Sequence, residues 1–339
     1  MRISTVWWVN CLKNVFKWSA AMFDSIMGHQ RQKEYFEQIV HEDRYAHAYC
    51  FEGIKGIGKF TFAKSLAKYL LCGENEALRA KFESGNHPDI LVVAPTGASI
   101  KTEQIDEIHG YVHVKPYLSD MKIVIIDESA LMTEQAQNKM LKLIEEPPGH
   151  AMVILIADNI TRLLPTIRSR VIRIAFNPIP DKGILELIEK DNMELDHELV
   201  SIAQGSYGKY LKWSTDDVFA KGVRELYQLL CGLLMNKPEK WLPLVPVFEN
   251  LKNDCDDLLD LILIWLQDVL LLKEGVSSEY LRLGAERESM IQCSKKLSIP
   301  CITKSMGAVE EAKVAIKRQQ NYILVTEAML YKIQEAVNG

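Results

Sequence analysis

The chain has little of what marks several large protein classes. It has no run of about 20 apolar residues, so no segment reads as a membrane-spanning helix. It has no Cys-x-x-Cys pair: its seven cysteines, at 11, 50, 72, 231, 255, 293 and 301, are scattered and odd in number. That pattern excludes a zinc knuckle or a disulfide framework and fits reduced thiols in a cytosolic protein. Glycine and proline are modest, at 18 and 12 residues, and the composition is 48% hydrophobic and 25% charged. Collagen-like, low-complexity and disordered chains are thereby excluded. Basic charge is not in excess either: 40 Lys and Arg face 45 Asp and Glu, a net charge of -5. A protein that grips DNA alone usually shows a basic surplus, so this balance argues against autonomous, tight nucleic-acid binding. What remains is a soluble globular composition of 339 residues, long enough for roughly two or three domains.

The charge is unevenly placed. Residues 1–21 hold Arg2, Lys13 and Lys17 and no acid, which gives them +3 and leaves -8 on the rest of the chain. Trp7, Trp8 and Trp18 fall in the same stretch. Asn10, Lys13, Asn14 and Lys17 interrupt the apolar run that a signal peptide needs. The stretch is read as an upstream extension ahead of a fold that opens at Met22, in preference to a basic, Trp-bearing helix lying on a membrane surface.

From Phe23 the pattern alternates between helix and strand. His47-Ala48-Tyr49-Cys50-Phe51-Glu52 reads as a short buried strand, followed at once by Gly53-Ile54-Lys55-Gly56-Ile57-Gly58-Lys59-Phe60-Thr61. Phe62, Ala63, Leu66, Ala67, Leu70 and Leu71 then form one helical stripe. Strand, glycine loop and helix in that order is the setting of a phosphate-binding P-loop. Gly53, Gly56 and Gly58 let backbone N–H groups turn toward phosphate oxygens, the helix start adds partial positive charge, and Lys59 reaches the terminal phosphates. Glycine-rich turns also occur without any ligand, and the last motif position departs from the pattern. A Ser or Thr should follow the lysine, because its hydroxyl is a Mg²⁺ ligand. Phe60 stands there instead, and Thr61, kept in the degenerate nucleotide-site set, lies about 100° further round the helix and cannot simply take over.

Three more strands follow the same logic. Ile90-Leu91-Val92-Val93 is one, Ile123-Val124-Ile125-Ile126 ends in Asp127-Glu128, and Met152 to Ala157 ends in Asp158-Asn159. Unbroken β-branched runs indicate strands buried on both faces, as in a parallel sheet. A carboxylate pair at a strand's C-terminal end sits where open α/β sheets bind ligands. In a working ATPase Asp127 would hold Mg²⁺ through water and Glu128 would polarise the attacking water; otherwise the pair only begins a loop. Asn159 joins the nucleotide-site set from the end of its strand. A final strand runs from Val171 to Phe176, after Leu164-Pro165-Thr166-Ile167-Arg168-Ser169-Arg170.

These units predict a doubly wound α/β domain over 22–178, closed by the prolines of Asn177-Pro178-Ile179-Pro180. Strand signal then stops. Residues 179–215 suit a small helical lid, and 216–339 a succession of amphipathic helices that would form a self-contained or oligomerising bundle.

At this point several segments together resemble the delta-prime subunits of bacterial DNA polymerase III clamp loaders, within the AAA+ superfamily. Phe23 to His29 resembles the family's opening, with His47-Ala48-Tyr49 ahead of the P-loop. Ile105-Asp106-Glu107-Ile108 and Lys115-Pro116-Tyr117 resemble its central run. Gln137-Asn138-Lys139-Met140-Leu141-Lys142-Leu143-Ile144-Glu145-Glu146-Pro147-Pro148 is close to NxLLKxLEEPP, and Leu164 to Arg170 matches LPTIxSR. The match is strong over 22–215 and weak in the helical collar, mainly Glu311 to Ile333.

The resemblance implies a subunit of a five-membered hetero-oligomeric ring joined through its collar, with gamma/tau and delta subunits as neighbours. The sliding clamp and primed DNA are reached through the complex, with no membrane partner. It implies that Arg170 is an arginine finger acting in trans on a neighbour's ATP site, with Ser169 as its motif partner. Departures from the family bear on chemistry. Relatives often carry a four-cysteine zinc module, whereas here only Cys72 and His87 (in His87-Pro88-Asp89) stand in that region, so no zinc is expected. Val171 replaces a frequent cysteine, and Lys209 lies where active subunits often sense the γ-phosphate with arginine. With Phe60, this predicts that ATP or ADP with Mg²⁺ binds weakly or not at all, and that Glu128 is vestigial. The chain would be no polymerase itself and a weak or inactive ATPase. Two other readings stay open: an active motor subunit of the gamma/tau kind, and a stand-alone AAA+ nucleotide switch or chaperone-like module.

Overall fold

The computed structural model describes residues 22–235, 243–277, 281–282, 287–318 and 320–338; the stretch 1–21, read as an upstream extension, lies outside them. Five strands form one sheet: β1 (Ala48–Glu52), β2 (Ile90–Val93), β3 (Lys122–Ile126), β4 (Ala151–Ala157) and β5 (Ile172–Ala175). All pairings are parallel, in the order β2-β3-β4-β1-β5. The three inner strands are the buried ones, with β3 and β4 covered along their whole length. On the outer strands Val92 and Ile172 are exposed, so the apolar run alone did not separate edge from centre.

Side chains alternate between two faces, as a pleated strand requires. On one face Cys50, Val124, Ile126, Val153 and Leu155 pack beneath α4 (Thr102–His113) and α5 (Glu134–Glu145), which contribute Ile105, Ile108, Met140 and Leu143. On the other, Tyr49, Phe51, Ile123, Ile125 and Ile154 pack beneath α1 (Gln30–His41) and α2 (Lys59–Cys72), with α3 (Glu76–Glu83) following α2. An aromatic cluster holds α2 to the sheet: Phe62 stacks on Phe23 at 4.3 Å between ring centres and meets Phe51 and Phe176 edge-on. Burying each such ring contributes about 1.5–3 kcal/mol, so the P-loop helix is anchored by packing rather than by its caps.

The His-Pro-Asp segment has a structural explanation. Asp89 is fully buried and accepts the N–H groups of Tyr117, Leu118 and Ser119 at 2.7–2.9 Å. Burial acts to raise its pKa, but these three donors outweigh it and hold the carboxyl below its usual range. The Lys115-Pro116-Tyr117 turn is thereby fixed to the start of β2.

The chain divides into two compact units. One runs to Asp191 and takes in Gly205–Gly208; the other comprises Asn192–Gln204 and Lys209 onward. The segment 179–215, read from sequence as one small domain, is therefore shared between them. In the first unit α6 (Pro165–Arg168) precedes β5 and α7 (Asp181–Lys190) follows it. The regular elements among the described residues of the second unit are helices: α8 (His197–Ile202), α9 (Tyr207–Thr215) from Lys209 onward, α10 (Asp217–Leu234), α11 (Leu244–Asn250), α12 (Cys255–Lys273), α13 (Arg287–Lys296), α14 (Ile299–Lys317) and α15 (Tyr322–Asn338). Trp265, Leu261 and Ile262 of α12 are fully buried there with Phe248, Ile302 and Leu330. No described helix is long and apolar enough to cross a membrane.

Candidate nucleotide site and arginine finger

The P-loop leaves the C-terminal end of β1 and enters α2 through Gly58, whose backbone is left-handed (φ 94°). Gly53 has a packing reason: a Cβ there would lie 2.5 Å from the Phe176 carbonyl oxygen and 2.7 Å from the Ile57 side chain. β3 brings Asp127 and Glu128 to the same end of the sheet, and β4 brings Asp158 and Asn159. The sequence-predicted site residues Gly53, Gly56, Gly58, Lys59, Asp127 and Glu128 thus converge at the carboxyl ends of parallel strands.

Their engagements are with each other. Lys59 is buried, and its ammonium donates to the Gly53 carbonyl at 2.6 Å and the Ile54 carbonyl at 2.8 Å. Burial lowers its pKa to about 8, against the opposing pull of Asp158 and Asp127. Ser206 Oγ donates to the Lys55 carbonyl and the Gly208 N–H to the Gly56 carbonyl, both at 2.8 Å. A Cβ on Gly208 would come 2.7 Å from Gly56 Cα, so only glycine allows this approach. His29 Nε2 lies 2.7 Å from the Ile57 carbonyl and must carry the proton there. Carbonyls 53 through 57 are therefore all taken by donors from the protein itself.

The carboxylates are similarly committed. Glu128 adopts a left-handed backbone (φ 48°) and pairs with Lys55 of the loop. Asp127 accepts the Glu128 N–H at 2.9 Å; burial pushes its carboxyl above the usual range, and that hydrogen bond offsets part of the shift. Asn159 uses its side chain locally, accepting from Thr161 N and Oγ1 at 2.8 and 2.7 Å. Thr61 is exposed, and Phe60 packs against the aromatic side of the core.

A magnesium nucleotide does not fit this donor set. Position 60 offers carbon where a metal needs oxygen, and the lysine spends donors on its own loop. Lys209 stands in the helical unit, its ammonium 3.2 Å from both Asp257 and Asp260 and 5.6 Å from the Trp213 ring centre. Near the Cys72–His87 region and elsewhere, no three His, Cys, Asp or Glu side chains among the described residues are arranged to hold a metal.

Arg170 has a different setting. It follows α6, whose last turn Ser169 caps by donating Oγ to the Thr166 carbonyl at 3.0 Å. Arg170 Nη1 donates to the same carbonyl at 3.1 Å and to Ser169 Oγ at 3.2 Å, and Nε lies 3.0 Å from Glu145 Oε1. The Arg170 side chain is 41% exposed.

Sequence reasoning missed Ser206, Gly208 and His29 at the P-loop and Gln137 and Glu145 behind the Leu164–Arg170 segment. The pair of glycines in Gly205-Ser206-Tyr207-Gly208 was the available signal, since glycine often marks a close backbone approach. The others carry no local signature.

The chain is similar in sequence to known proteins. Residues 28–180 match the family described as DNA polymerase III, delta subunit, and residues 224–335 match its C-terminal domain. DNA polymerase III subunit delta' of Bacillus subtilis is 32% identical over 311 residues, covering 87% of this chain and 93% of the relative. The delta' subunit of Pseudomonas aeruginosa is 31% identical over 209 residues, 57% of this chain and 62% of that one. Among solved structures, a gamma-subunit-related protein of Thermotoga maritima covers 89% of this chain and 99% of its own, at 20% identity and a TM-score of 0.41. The Bacillus subtilis clamp loader delta protein covers the same shares at 10% identity and a TM-score of 0.36. With its five parallel strands, P-loop, Leu164–Arg170 motif and near full-length match, this chain belongs to the delta-prime family of DNA polymerase III subunits.

Proposed function

We propose that this chain serves in a clamp loader as a subunit that keeps its own nucleotide site shut and lends Arg170 to a neighbour's. The observation that carries the first half is Lys59, whose ammonium donates to the Gly53 and Ile54 carbonyls of its own loop, beside Phe60 where Mg²⁺ needs an oxygen ligand. Ser206, Gly208 and His29 add contacts to the Lys55, Gly56 and Ile57 carbonyls that hold the loop in this conformation. The exposed Arg170, on a capped helical turn, supports the second half. Its planar, permanently charged guanidinium suits oxygens that gain charge as a phosphoryl group departs.

The neighbours in this reading are gamma/tau and delta subunits in a pentameric ring, with the clamp and primed DNA handled by the complex. A net charge of -5 is compatible with that role, because DNA contacts are then divided among subunits. The test has two parts. Isothermal titration of the isolated chain with Mg-ATP should show no binding, and micromolar affinity with turnover would sink the closed-site reading. In the reconstituted complex, Arg170→Ala should leave assembly intact and abolish hydrolysis at the site it serves; unchanged hydrolysis would remove the finger assignment.

A further inference from the structure

One helix holds the Arg170 segment at both ends. At its start the buried Gln137 of α5 accepts the Leu164 N–H at 2.7 Å and donates to the Met132 carbonyl at 3.2 Å. At its end Glu145, the last residue of α5, places Oε1 3.0 Å from Arg170 Nε. Between these polar contacts Ile167 is fully buried in the core that includes Met140, Leu143 and Ile144 of the same helix. The segment is therefore fixed on α5 by packing in the middle and by one side chain at each end.

A guanidinium has five N–H donors in a fixed fork. Nη1 is committed to the Thr166 carbonyl and Ser169 Oγ, and the Glu145 carboxylate stands beside Nε. Nη2 has no acceptor among the described residues, so its two donors are the ones left for an incoming anionic oxygen. Arginine has many rotamers, and any anchored before the partner arrives need not be lost at the moment of reaction.

We propose that Glu145 is a positioning residue for the finger: it holds Nε so that the Nη2 edge faces the neighbouring subunit's phosphates. This rests on the reading of Arg170 as a trans-acting finger. A carboxylate that merely competed with phosphate for the guanidinium would have the opposite sign, since its removal would then speed hydrolysis. Glu145 is itself partly exposed, so its replacement by glutamine keeps the shape and removes only the charge.

The experiment is single-turnover and steady-state ATP hydrolysis by the reconstituted complex of this chain with gamma/tau and delta subunits, with clamp and primed DNA present. Glu145→Gln should lower kcat about two- to fivefold, the scale of an exposed ion pair, with KM for ATP unchanged. Glu145→Asp should recover part of the loss, and Glu145→Gln combined with Arg170→Ala should be no worse than Arg170→Ala alone. Gel filtration and thermal melting of each complex show whether assembly is kept. If Arg170→Ala is impaired while Glu145→Gln matches or exceeds wild type, the positioning role is wrong and the finger stands. If Arg170→Ala itself hydrolyses normally, the finger reading falls and the positioning role with it.

Discussion

The P-loop and the Ser169–Arg170 turn are both strand-end motifs in the same α/β unit, yet they are finished in opposite ways. At the P-loop, donors from residues 29, 59, 206 and 208 occupy the carbonyls of the loop, and the carboxylate of Glu128 is paired with Lys55. At the Arg170 turn the contacts lie on the Nη1 and Nε side of the guanidinium, and Nη2 has no acceptor among the described residues. Retaining a motif's spacing therefore says little about retaining its chemistry. What decides is whether the polar groups of the motif face an available space or each other.

The largest effect that would break this contrast is at the finger. Arg170→Ala is expected to slow hydrolysis at the served site by about 10³-fold or more, measured by single-turnover ATP cleavage in the reconstituted complex. Next comes the packing that keeps the P-loop helix in place. Phe62→Ala should cost about 3–5 kcal/mol, read from urea unfolding of the isolated chain, because Phe62 meets four rings beneath the loop. A smaller loss is expected from Gly208→Ala. The new Cβ would press on Gly56 Cα, an overpacking cost of about 1–3 kcal/mol, and amide exchange at residue 208 should accelerate in parallel.

Two histidines give the fold a pH response. His29 and His87 both have pKa values lowered mainly by burial. The unfolded chain then binds more protons than the folded one as pH falls through the ordinary histidine value of 6.5. Their neutral forms stabilise the fold fully above 6.5, and that contribution is lost as pH drops toward the folded-state values. The urea midpoint should fall between pH 7 and pH 5, and His29→Gln should flatten part of that fall. The smallest expected effect is that of Phe60→Ser. Supplying a hydroxyl alone should not create Mg-nucleotide binding by titration calorimetry, because Lys59 still donates to the Gly53 and Ile54 carbonyls.

Much of this molecule is legible locally. The strands at Ile90–Val93 and Lys122–Ile126, the Gly53-to-Lys59 spacing and the Asp127-Glu128 pair are patterns of a few residues. The sequence also makes Phe60 visible as a missing metal ligand. Other features are out of reach in one dimension. Val92 and Val124 look alike in sequence, but one lies on an edge strand and one at the centre. The ion pairs of Lys209 with Asp257 and Asp260 of α12 are likewise absent from its local sequence.

By itself, then, the sequence determined the α/β class, the two motifs, the family and the lost hydroxyl at position 60, because each is encoded in spacing along a strand, turn or helix. Only the tertiary structure decided which groups the P-loop carbonyls and the Arg170 guanidinium engage. Ser206 meets Lys55 across 151 residues of chain, and Gly208 touches Gly56 only because the fold returns it there. A hydrogen-bond donor has no preferred partner until packing brings an acceptor within about 3 Å, and no periodicity records which one arrives.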